Sequence, residues 1–271
     1  MKKIYFIGGG QMVEAIIRAI IHNKIVEEKQ ITVFDIDPSR LQYLAETYGI
    51  KVVFNEKSGF RDADLIIIGV RPQDDIKTIG SLIDQYADQT ATILSIVAGV
   101  TLKKLESYLQ NRFALARVIP NTLTDTGFGY SAATLNELAD KTKIDSFLNG
   151  FGKVEYMDES LLDIFTGYGV AGPNYIYYFI ESLADAGVLA GLPRDLSWKV
   201  ALENMNGAVE MWKLSGKHPR QLLDINNSPG GVGINALFEL NKSDFAAGLQ
   251  SSVLTAVKRT SQLGGETKWQ K

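Results

Sequence analysis

The sequence contains no cysteine and only two histidines, His22 and His218, among its 271 residues. Disulfides, thiolate metal sites and cysteine nucleophiles are therefore excluded, and a histidine-rich metal site is not expected, so we predict no metal. A strong charge of either sign is lacking as well. The net charge of −3 gives no electrostatic reason to expect nucleic acid as a partner.

Long apolar runs are also missing. Lys2 and Lys3 precede a short apolar stretch that ends in glycines after Ile7. A signal peptide or a membrane span needs a longer run, so we expect no membrane association and a cytoplasmic location. The composition, 45% hydrophobic and 22% charged, is that of a globular protein with one large domain or two of ordinary size.

The most informative stretch lies at the start of the chain. Ile4–Ile7 is an apolar run suited to a buried strand, Gly8, Gly9 and Gly10 follow, and apolar residues then recur at helical spacing. This order is typical of a dinucleotide-binding βαβ unit, in which Gly8 makes the turn and Gly10 lets the backbone approach a pyrophosphate. Val13 occupies the third place of G-x-G-x-x-G, so an ordinary strand-to-helix turn is the alternative.

A second predicted strand, 30–35, ends in an acid. Asp35 lies about twenty residues beyond the glycines, where a carboxylate can accept hydrogen bonds from the adenine ribose diol. Its charge would repel a 2′-phosphate, which predicts a preference for NADH, although Arg40 in the next helix could contact such a phosphate. A solvated acid at a strand end is the alternative. Asp37 and Pro38 predict the cap and first residue of that helix.

Further apolar, β-branched runs alternate with helical stretches through the first half of the chain. They predict strands over 51–54, 64–70, 91–97 and 113–118, with weaker ones over 130–134 and 153–157. This alternation predicts an α/β fold built on a doubly wound parallel sheet, with ligands at the carboxyl ends of the strands. We assign this dinucleotide-binding domain to residues 1–158.

The second half has a different character. Helices are predicted over 160–167, 174–191, 195–215 and 244–263, and no strand-like run occurs, so residues 159–271 are expected to form an all-helical domain. Its apolar and aromatic content exceeds what one buried face needs. That excess predicts a dimer formed through the helices, with a well-filled monomer core as the alternative.

Several short stretches, in their order and spacing, resemble the pyrroline-5-carboxylate reductase family along nearly the whole chain. They are 7–12, 70–73, 95–99, 117–122, 172–175, 184–187, 191–194, 218–219 and 228–231. The resemblance implies that NADH or NADPH reduces a small imino acid, 1-pyrroline-5-carboxylate, to proline in proline biosynthesis. It also implies a Rossmann-like first domain and a helical second domain that builds a homodimer or a higher homo-oligomer.

The resemblance assigns roles to particular residues. It implies that Ser228, Gly230 and Gly231 form the catalytic loop that binds the substrate's carboxylate, for which a tight turn between helices is the alternative. For residues 117–122 a strand-end turn is the alternative, whereas the resemblance places Asn121 of this stretch beside the nicotinamide. The implied cofactor-binding residues are Gly8, Gly10, Gln11, Met12, Asp35, Asn55, Val70, Arg71, Pro72, Gln73, Ala98, Gly99 and Asn121.

Most departures from the family pattern fall in the implied substrate site. Residues 169–171 replace the usual serine and glycine residues, Asn174 stands where alanine is usual, and Val232 and Gly233 replace a threonine pair. Two alternatives to proline synthesis therefore stay open. One is a reductase of a different imine or keto acid on the same fold, and the other is a catalytically weak nucleotide-binding paralogue with a regulatory role.

Gly233 leads to a separate prediction about turnover. Glycine supplies no hydroxyl where the family pattern has a threonine, so we predict weak turnover of pyrroline-5-carboxylate and higher catalytic efficiency on Gly233→Thr. The alternative is that another group, such as Thr166, Tyr168 or a water, has taken over the role. In that case Gly233→Thr would be neutral or harmful.

Overall fold

The computed structural model describes residues 3–263 and contains one eight-stranded sheet, in the order β3-β2-β1-β4-β5-β6-β7-β8. The strands are β1 (Ile4–Ile7), β2 (Ile31–Phe34), β3 (Lys51–Val53), β4 (Leu65–Ile68), β5 (Thr92–Ser95), β6 (Ala114–Ile119), β7 (Tyr130–Leu135) and β8 (Lys153–Tyr156). β1 to β6 pair in parallel, which confirms the predicted α/β sheet and its strands. The strand order reverses between β1 and β4, and open α/β sheets bind ligands beside such a point.

The last two strands run opposite to the other six. Ile119 of β6 pairs with Ala132 of β7 in antiparallel register, whereas β7 and β8 pair in parallel with each other. The connection 120–129 is shorter than the dozen or so residues that a parallel crossover takes, so β7 has to return along β6. The sheet is therefore mostly parallel, and an entirely parallel arrangement is wrong for these two strands.

Alternate residues of the central strands fill two hydrophobic cores, one on each face of the sheet. Ile4 and Phe6 of β1 belong to one core, and Tyr5 and Ile7 belong to the other. Because both faces are covered, the central strands read as continuous apolar runs. The helices of this part are α1 (Gln11–His22), α2 (Pro38–Tyr48), α3 (Ile76–Tyr86), α4 (Leu102–Glu106), α5 (Lys141–Leu148) and α6 (Leu162–Phe165), and a π-helical turn, Thr166–Val170, follows α6.

The start of α2 confirms its sequence signal. Asp37 is the N-cap residue, and its Oδ1 accepts a hydrogen bond from the backbone N–H of Ser39 at 2.9 Å. Pro38 is the first helical residue, where its missing N–H costs nothing.

The chain forms two compact units by its internal contacts. The sheet unit comprises the chain up to Ala171 and again from Thr255, and the helical unit comprises 172–254. Val257 in the last helix is buried against Gly167, where a Cβ atom would overlap the Val257 backbone. The domain boundary at residue 158 stays a prediction.

The helical unit contains α7 (Gly172–Leu189), α8 (Arg194–Ser215), α9 (Pro219–Asn226) and α10 (Val232–Lys242), and α11 (Phe245–Leu263) begins in it. Helices α9 and α10 were not predicted from the sequence. Beyond residue 158 the described chain has no strand, as expected. None of the helices within 3–263 is long and apolar enough to cross a membrane.

Candidate functional site

The turn between β1 and α1 has a conformation that lets a ligand come close to its backbone. Gly8 has φ +95°, its N–H donates to the Phe34 carbonyl at 2.8 Å, and a Cβ atom on it would lie 2.7 Å from the Gly69 carbonyl oxygen. Only glycine fits there. Gly10 is the N-cap residue of α1, no side chain caps it, and a Cβ atom there would meet nothing within 4 Å. The first N–H groups of α1 therefore stay available to an anion such as a pyrophosphate.

Val13, at the incomplete third place of the glycine pattern, is fully buried. The room for its side chain comes from Gly69, directly after β4, because a Cβ atom on Gly69 would overlap Val13 Cγ2. A glycine on the neighbouring strand thus provides the close packing that the third glycine usually allows.

Asp35 lies beside the glycine turn at the end of β2. Its Oδ2 accepts the N–H of Gly9 at 2.7 Å, and its Oδ1 accepts the N–H of Asp37 at 2.9 Å. The side chain is half-buried, and it lines the same cavity as Gly8 and Gly10. Each carboxylate oxygen keeps a further lone pair, so the group that fixes the turn can also accept hydroxyl donors from a ribose.

The cavity has a volume of about 580 Å³ and opens at the point where the strand order reverses. Among the predicted cofactor residues, Gly8, Gly10, Asp35, Val70 and Arg71 line it. Other lining residues, which follow the ends of β2, β3 and β4, were not predicted from the sequence: Ile36, Asp37, Glu56, Gly69, Asp74, Asp75, Thr78 and Ile79. These residues could have been predicted, because all of them follow strands whose carboxyl ends meet at one edge of the sheet.

The charge around this cavity is mostly negative. Its described lining contains five acids, Asp35, Asp37, Glu56, Asp74 and Asp75, and a single cation, Arg71. Arg71 is largely exposed and pairs with Asp74 at 3.0 Å. Hydrogen bonds from Ser39 hold the pKa of Asp37 below its ordinary value, and those from Thr78 do the same for the pKa of Asp75. The lining therefore suits hydroxyl groups better than an additional phosphate.

Arg40 supports the glycine turn from behind. Its Nε donates to the Gly9 carbonyl at 2.5 Å, and its guanidinium pairs with the buried Glu14 of α1. Glu14 also accepts hydrogen bonds from the hydroxyls of Tyr48 at 2.7 Å and Tyr43 at 3.0 Å. Burial alone would raise the pKa of Glu14, but these hydrogen bonds outweigh it and lower the pKa below its ordinary value. Glu14 and Arg40 thus hold the glycine turn in place; Glu14 was not singled out from the sequence, and Arg40 was expected only as a possible contact to a 2′-phosphate.

The remaining predicted cofactor residues do not line the cavity. Gln11 and Met12 begin α1, Asn55 caps a short 3₁₀ turn by accepting the Lys57 N–H at 3.0 Å, Pro72 and Gln73 follow Arg71, and Ala98 and Gly99 follow β5. Apart from those on α1, they follow the carboxyl ends of parallel strands.

Asn121 follows β6 and is 5% exposed. Its Oδ1 accepts the N–H groups of Leu123 and Tyr130, both at 3.2 Å. The side chain therefore closes the 120–129 connection, and its amide nitrogen remains as a donor.

A buried arginine lies on the same strand. Arg117 is 1% exposed, and its guanidinium pairs with Asp163 at 2.7 Å and with Glu159 at 3.3 Å. Glu159 also accepts the N–H of Leu102 at 2.6 Å, which ties the start of α4 to the same network. Within the described chain, only the Nε of Arg117 is a buried side-chain polar atom without a partner. This network fixes β6 against the segment that leads into α6.

In the helical unit, the predicted 228–231 loop precedes α10. Gly230 has φ +68°, and the Gly231 N–H donates to the Ser228 carbonyl at 3.0 Å. A Cβ atom on Gly231 would overlap Ser228 Oγ, so this glycine lets the hydroxyl lie at the start of the helix. Gly231 is the N-cap residue and no side chain caps α10. The serine hydroxyl and the first N–H groups of α10 can therefore bind a carboxylate.

Gly233→Thr is the substitution predicted above to improve the site. The space that a side chain at position 233 would need is already occupied. A Cβ atom on Gly233 would overlap Asn227 Oδ1 and lie 3.0 Å from the Asn226 carbonyl oxygen. The predicted gain from Gly233→Thr therefore needs Asn227 to move. Among the side chains that the structure describes, no cluster of three or more acidic or histidine residues is arranged to hold a metal ion.

Comparisons with known proteins give matches in both halves of the chain. Residues 159–263 match the family model described as pyrroline-5-carboxylate reductase dimerisation, and residues 3–99 match the NADP oxidoreductase, coenzyme F420-dependent model. A pyrroline-5-carboxylate reductase of Pisum sativum is 35% identical over 95% of this chain and 94% of its own length. The Escherichia coli enzyme is 31% identical over 97% and 98%.

A solved structure is similar over the same extent. Pyrroline carboxylate reductase of Plasmodium falciparum with NADP bound superposes with a TM-score of 0.87, at 29% identity, over 97% of this chain and 98% of that one.

Proposed function

The chain belongs to the pyrroline-5-carboxylate reductase family, and we propose from this premise that it reduces 1-pyrroline-5-carboxylate to proline with NADH or NADPH. The observation that carries the proposal is the presence of two anion-binding backbone sites, one in each unit. One is the uncapped start of α1 beside the Asp35 cavity, and the other is the uncapped start of α10 after the 228–231 loop. A dinucleotide and an imino acid present the anions that these sites suit.

The residues fit a nicotinamide dinucleotide. The Gly8 to Gly10 turn, which a Cβ atom at Gly8 would obstruct, would hold the pyrophosphate, and Asp35 would hold the adenine ribose. When bound, the cofactor supplies the hydride. The loops after β5 and β6, with Gly99 and Asn121, are proposed to line the nicotinamide side, since they end at the same sheet edge.

We further propose that NADH is the preferred cofactor. Arg40, the cation that could have contacted a 2′-phosphate, is committed to the Gly9 carbonyl and to Glu14. Asp35 and Asp37 both line the cavity, and a 2′-phosphate there would be repelled by their charges.

Hydride transfer to this substrate requires little acid or base catalysis from the protein. A protonated imine already carries the positive charge that makes its carbon accept hydride, so the chain has to bind the carboxylate and orient the ring. Ser228, Gly230 and Gly231 are proposed for the carboxylate. The lack of a cysteine and the scarcity of histidine are consistent with this chemistry.

We propose that the chain acts as a homodimer through its helical unit. That unit exposes many large apolar side chains, more than a monomer surface usually presents. They include Tyr177, Tyr178, Met211, Trp212, Leu214, Phe238 and Phe245. Sedimentation at micromolar concentration is expected to give twice the mass of one chain, and a folded, active monomer would contradict this proposal.

The activity itself is tested with purified protein, pyrroline-5-carboxylate and either reduced cofactor, followed at the nicotinamide absorbance. The expected result is stoichiometric formation of proline, with a higher kcat/KM for NADH than for NADPH. No oxidation of the cofactor, or oxidation only with another imine or a keto acid, would overturn the assignment.

We also propose that this reaction serves proline synthesis in the cytoplasm, which suits a chain without cysteines. Complementation of a bacterial proline auxotroph, with a Gly8→Val variant as inactive control, tests the pathway. Growth without proline is expected only with the unaltered chain.

A further inference from the structure

Asn227 occupies the space that a side chain at position 233 would fill. Its Oδ1 lies over Gly233, the second residue of α10, so closely that an added Cβ atom would overlap it. The carbonyl of Asn226 lies 3.0 Å from the same point and closes the other side. A carboxamide oxygen therefore lies over the first turn of α10, beside the N–H groups that we propose for the carboxylate.

The Asn227 side chain is half-buried and makes no side-chain hydrogen bond with the described residues. Asn235, on the same helix, differs in that its amide donates to the Gly231 carbonyl at 2.8 Å and to the Gly230 carbonyl at 3.4 Å. The structural need for a side chain that closes the loop is thus met by Asn235. The polar atoms of Asn227 are left for another partner.

The substrate of the proposed reaction needs such a partner. In an α-imino acid the ring nitrogen and the carboxylate are attached to the same carbon atom. A protonated ring nitrogen is a hydrogen-bond donor, so its acceptor has to lie within a few ångströms of the groups that bind the carboxylate. The start of α10 offers donors to the carboxylate, and Asn227 Oδ1 is an acceptor immediately beside them.

We propose that Asn227 binds the substrate through the protonated ring nitrogen, which donates to Asn227 Oδ1 while the 228–231 loop and the start of α10 hold the carboxylate. This inference rests on the proposed function. It makes Asn227 a substrate-binding and specificity residue that selects a ring nitrogen beside a carboxylate. It also explains why position 233 is glycine, because a larger residue would displace the Asn227 carboxamide.

The first test is steady-state kinetics of Asn227→Ala beside Asn226→Ala, a matched control whose side chain is exposed at the end of α9. Asn227→Ala is expected to lower kcat/KM for pyrroline-5-carboxylate by about ten- to a hundredfold, as for loss of a hydrogen bond to a charged group. The KM for NADH is expected to stay within twofold, and Asn226→Ala is expected to match the unaltered enzyme. A change below twofold in Asn227→Ala would overturn the proposal.

The second test separates binding from a structural role by comparing two inhibitors. Proline carries a ring N–H donor, and tetrahydrofuran-2-carboxylate has the same carboxylate but an oxygen in its ring. Asn227→Ala is expected to weaken inhibition by proline at least fivefold and to leave inhibition by tetrahydrofuran-2-carboxylate unchanged. Equal weakening of both inhibitors would show that Asn227 only shapes the loop, which contradicts the proposal.

The third test exploits the shared space of the two positions. Gly233→Thr alone is expected to reduce activity because the threonine displaces Asn227. In the double variant Asn227→Ala/Gly233→Thr that overlap is relieved and a hydroxyl is supplied, so kcat/KM should exceed that of either single variant. Additive losses would contradict the exchange. If the unaltered enzyme fails to turn over pyrroline-5-carboxylate at all, the proposed function fails instead, which keeps the two failures distinct.

Discussion

Gly69 and Val13 share one space beneath the dinucleotide turn, since a Cβ atom on Gly69 would overlap Val13 Cγ2. We expect Gly69→Ala to lower the free energy of unfolding by about 1–3 kcal/mol, the usual cost of overpacking. Adding Val13→Ala should cancel part of this loss, because the smaller residue returns the space. Urea denaturation of both single variants and the double variant measures the coupling, and strictly additive losses would show that the contact is not responsible.

Asp35 should control the choice of cofactor. Asp35→Asn keeps an acceptor for the Gly9 N–H but removes the charge, so the ratio of kcat/KM for NADPH to that for NADH is expected to rise about tenfold or more. Asp62→Asn removes a charge that does not line the cavity and serves as the control. An unchanged ratio in Asp35→Asn would contradict the role of this carboxylate.

Arg40 should support both cofactors equally. Because its guanidinium holds the Gly9 carbonyl and Glu14, Arg40→Ala is expected to raise the KM for NADH and the KM for NADPH by a similar factor. Arg18→Ala, in which a more exposed arginine near Glu14 is removed, should have a smaller effect. A loss confined to NADPH would instead identify Arg40 as a phosphate-binding residue.

Glu14 gives the stability of the sheet unit a pH dependence of known sign. Its pKa is lower in the folded chain than the ordinary value of 4.5 expected when unfolded, so the carboxylate stabilises the fold above that value. This stabilisation is lost as the pH falls through the folded pKa. Glu14→Gln should therefore be less stable than the unaltered chain at pH 7, with a difference that shrinks below about pH 4. Denaturant titrations at both pH values test this, and a constant difference would contradict it.

Arg117 and its two acids should respond unequally to substitution. Glu159→Gln/Asp163→Asn leaves a buried guanidinium without a counter-charge, which is expected to cost about 3–5 kcal/mol of unfolding free energy. Arg117→Met should cost less, because methionine suits the buried position and the two acids are partly exposed to water. Guanidinium chloride denaturation gives the order of the two losses, and the reverse order would refute this account.

Much of the sheet could be predicted because its strands are buried on both faces. The run Leu65–Ile68 is apolar at every position, and such runs are typical of central parallel strands. The direction of β7 could also have been inferred, since the connection before it is too short for a crossover. Helices α9 and α10 are short, and the Asn- and Gly-containing loop between them obscured their periodicity in the sequence.

Site residues could be predicted only where the sequence pattern that marks them lies within one strand and the turn that follows it. The glycine turn and Asp35 follow strands directly, so sequence order places them at the sheet edge. The fit of Val13 against Gly69 depends on two strands that become neighbours only in the fold. The role of Arg40 was equally hidden, because its partner Glu14 lies on another helix and turns the guanidinium to the Gly9 carbonyl.

The return of the last helix to the sheet unit determines when this unit can finish folding during synthesis. Val257 packs against Gly167 and is buried, although the whole helical unit separates the two in the chain. The sheet unit therefore cannot complete its packing as soon as its own strands have emerged from the ribosome. This packing has to wait until Val257 has been synthesised, and a chain that ends before Val257 would leave the surface around Gly167 uncovered.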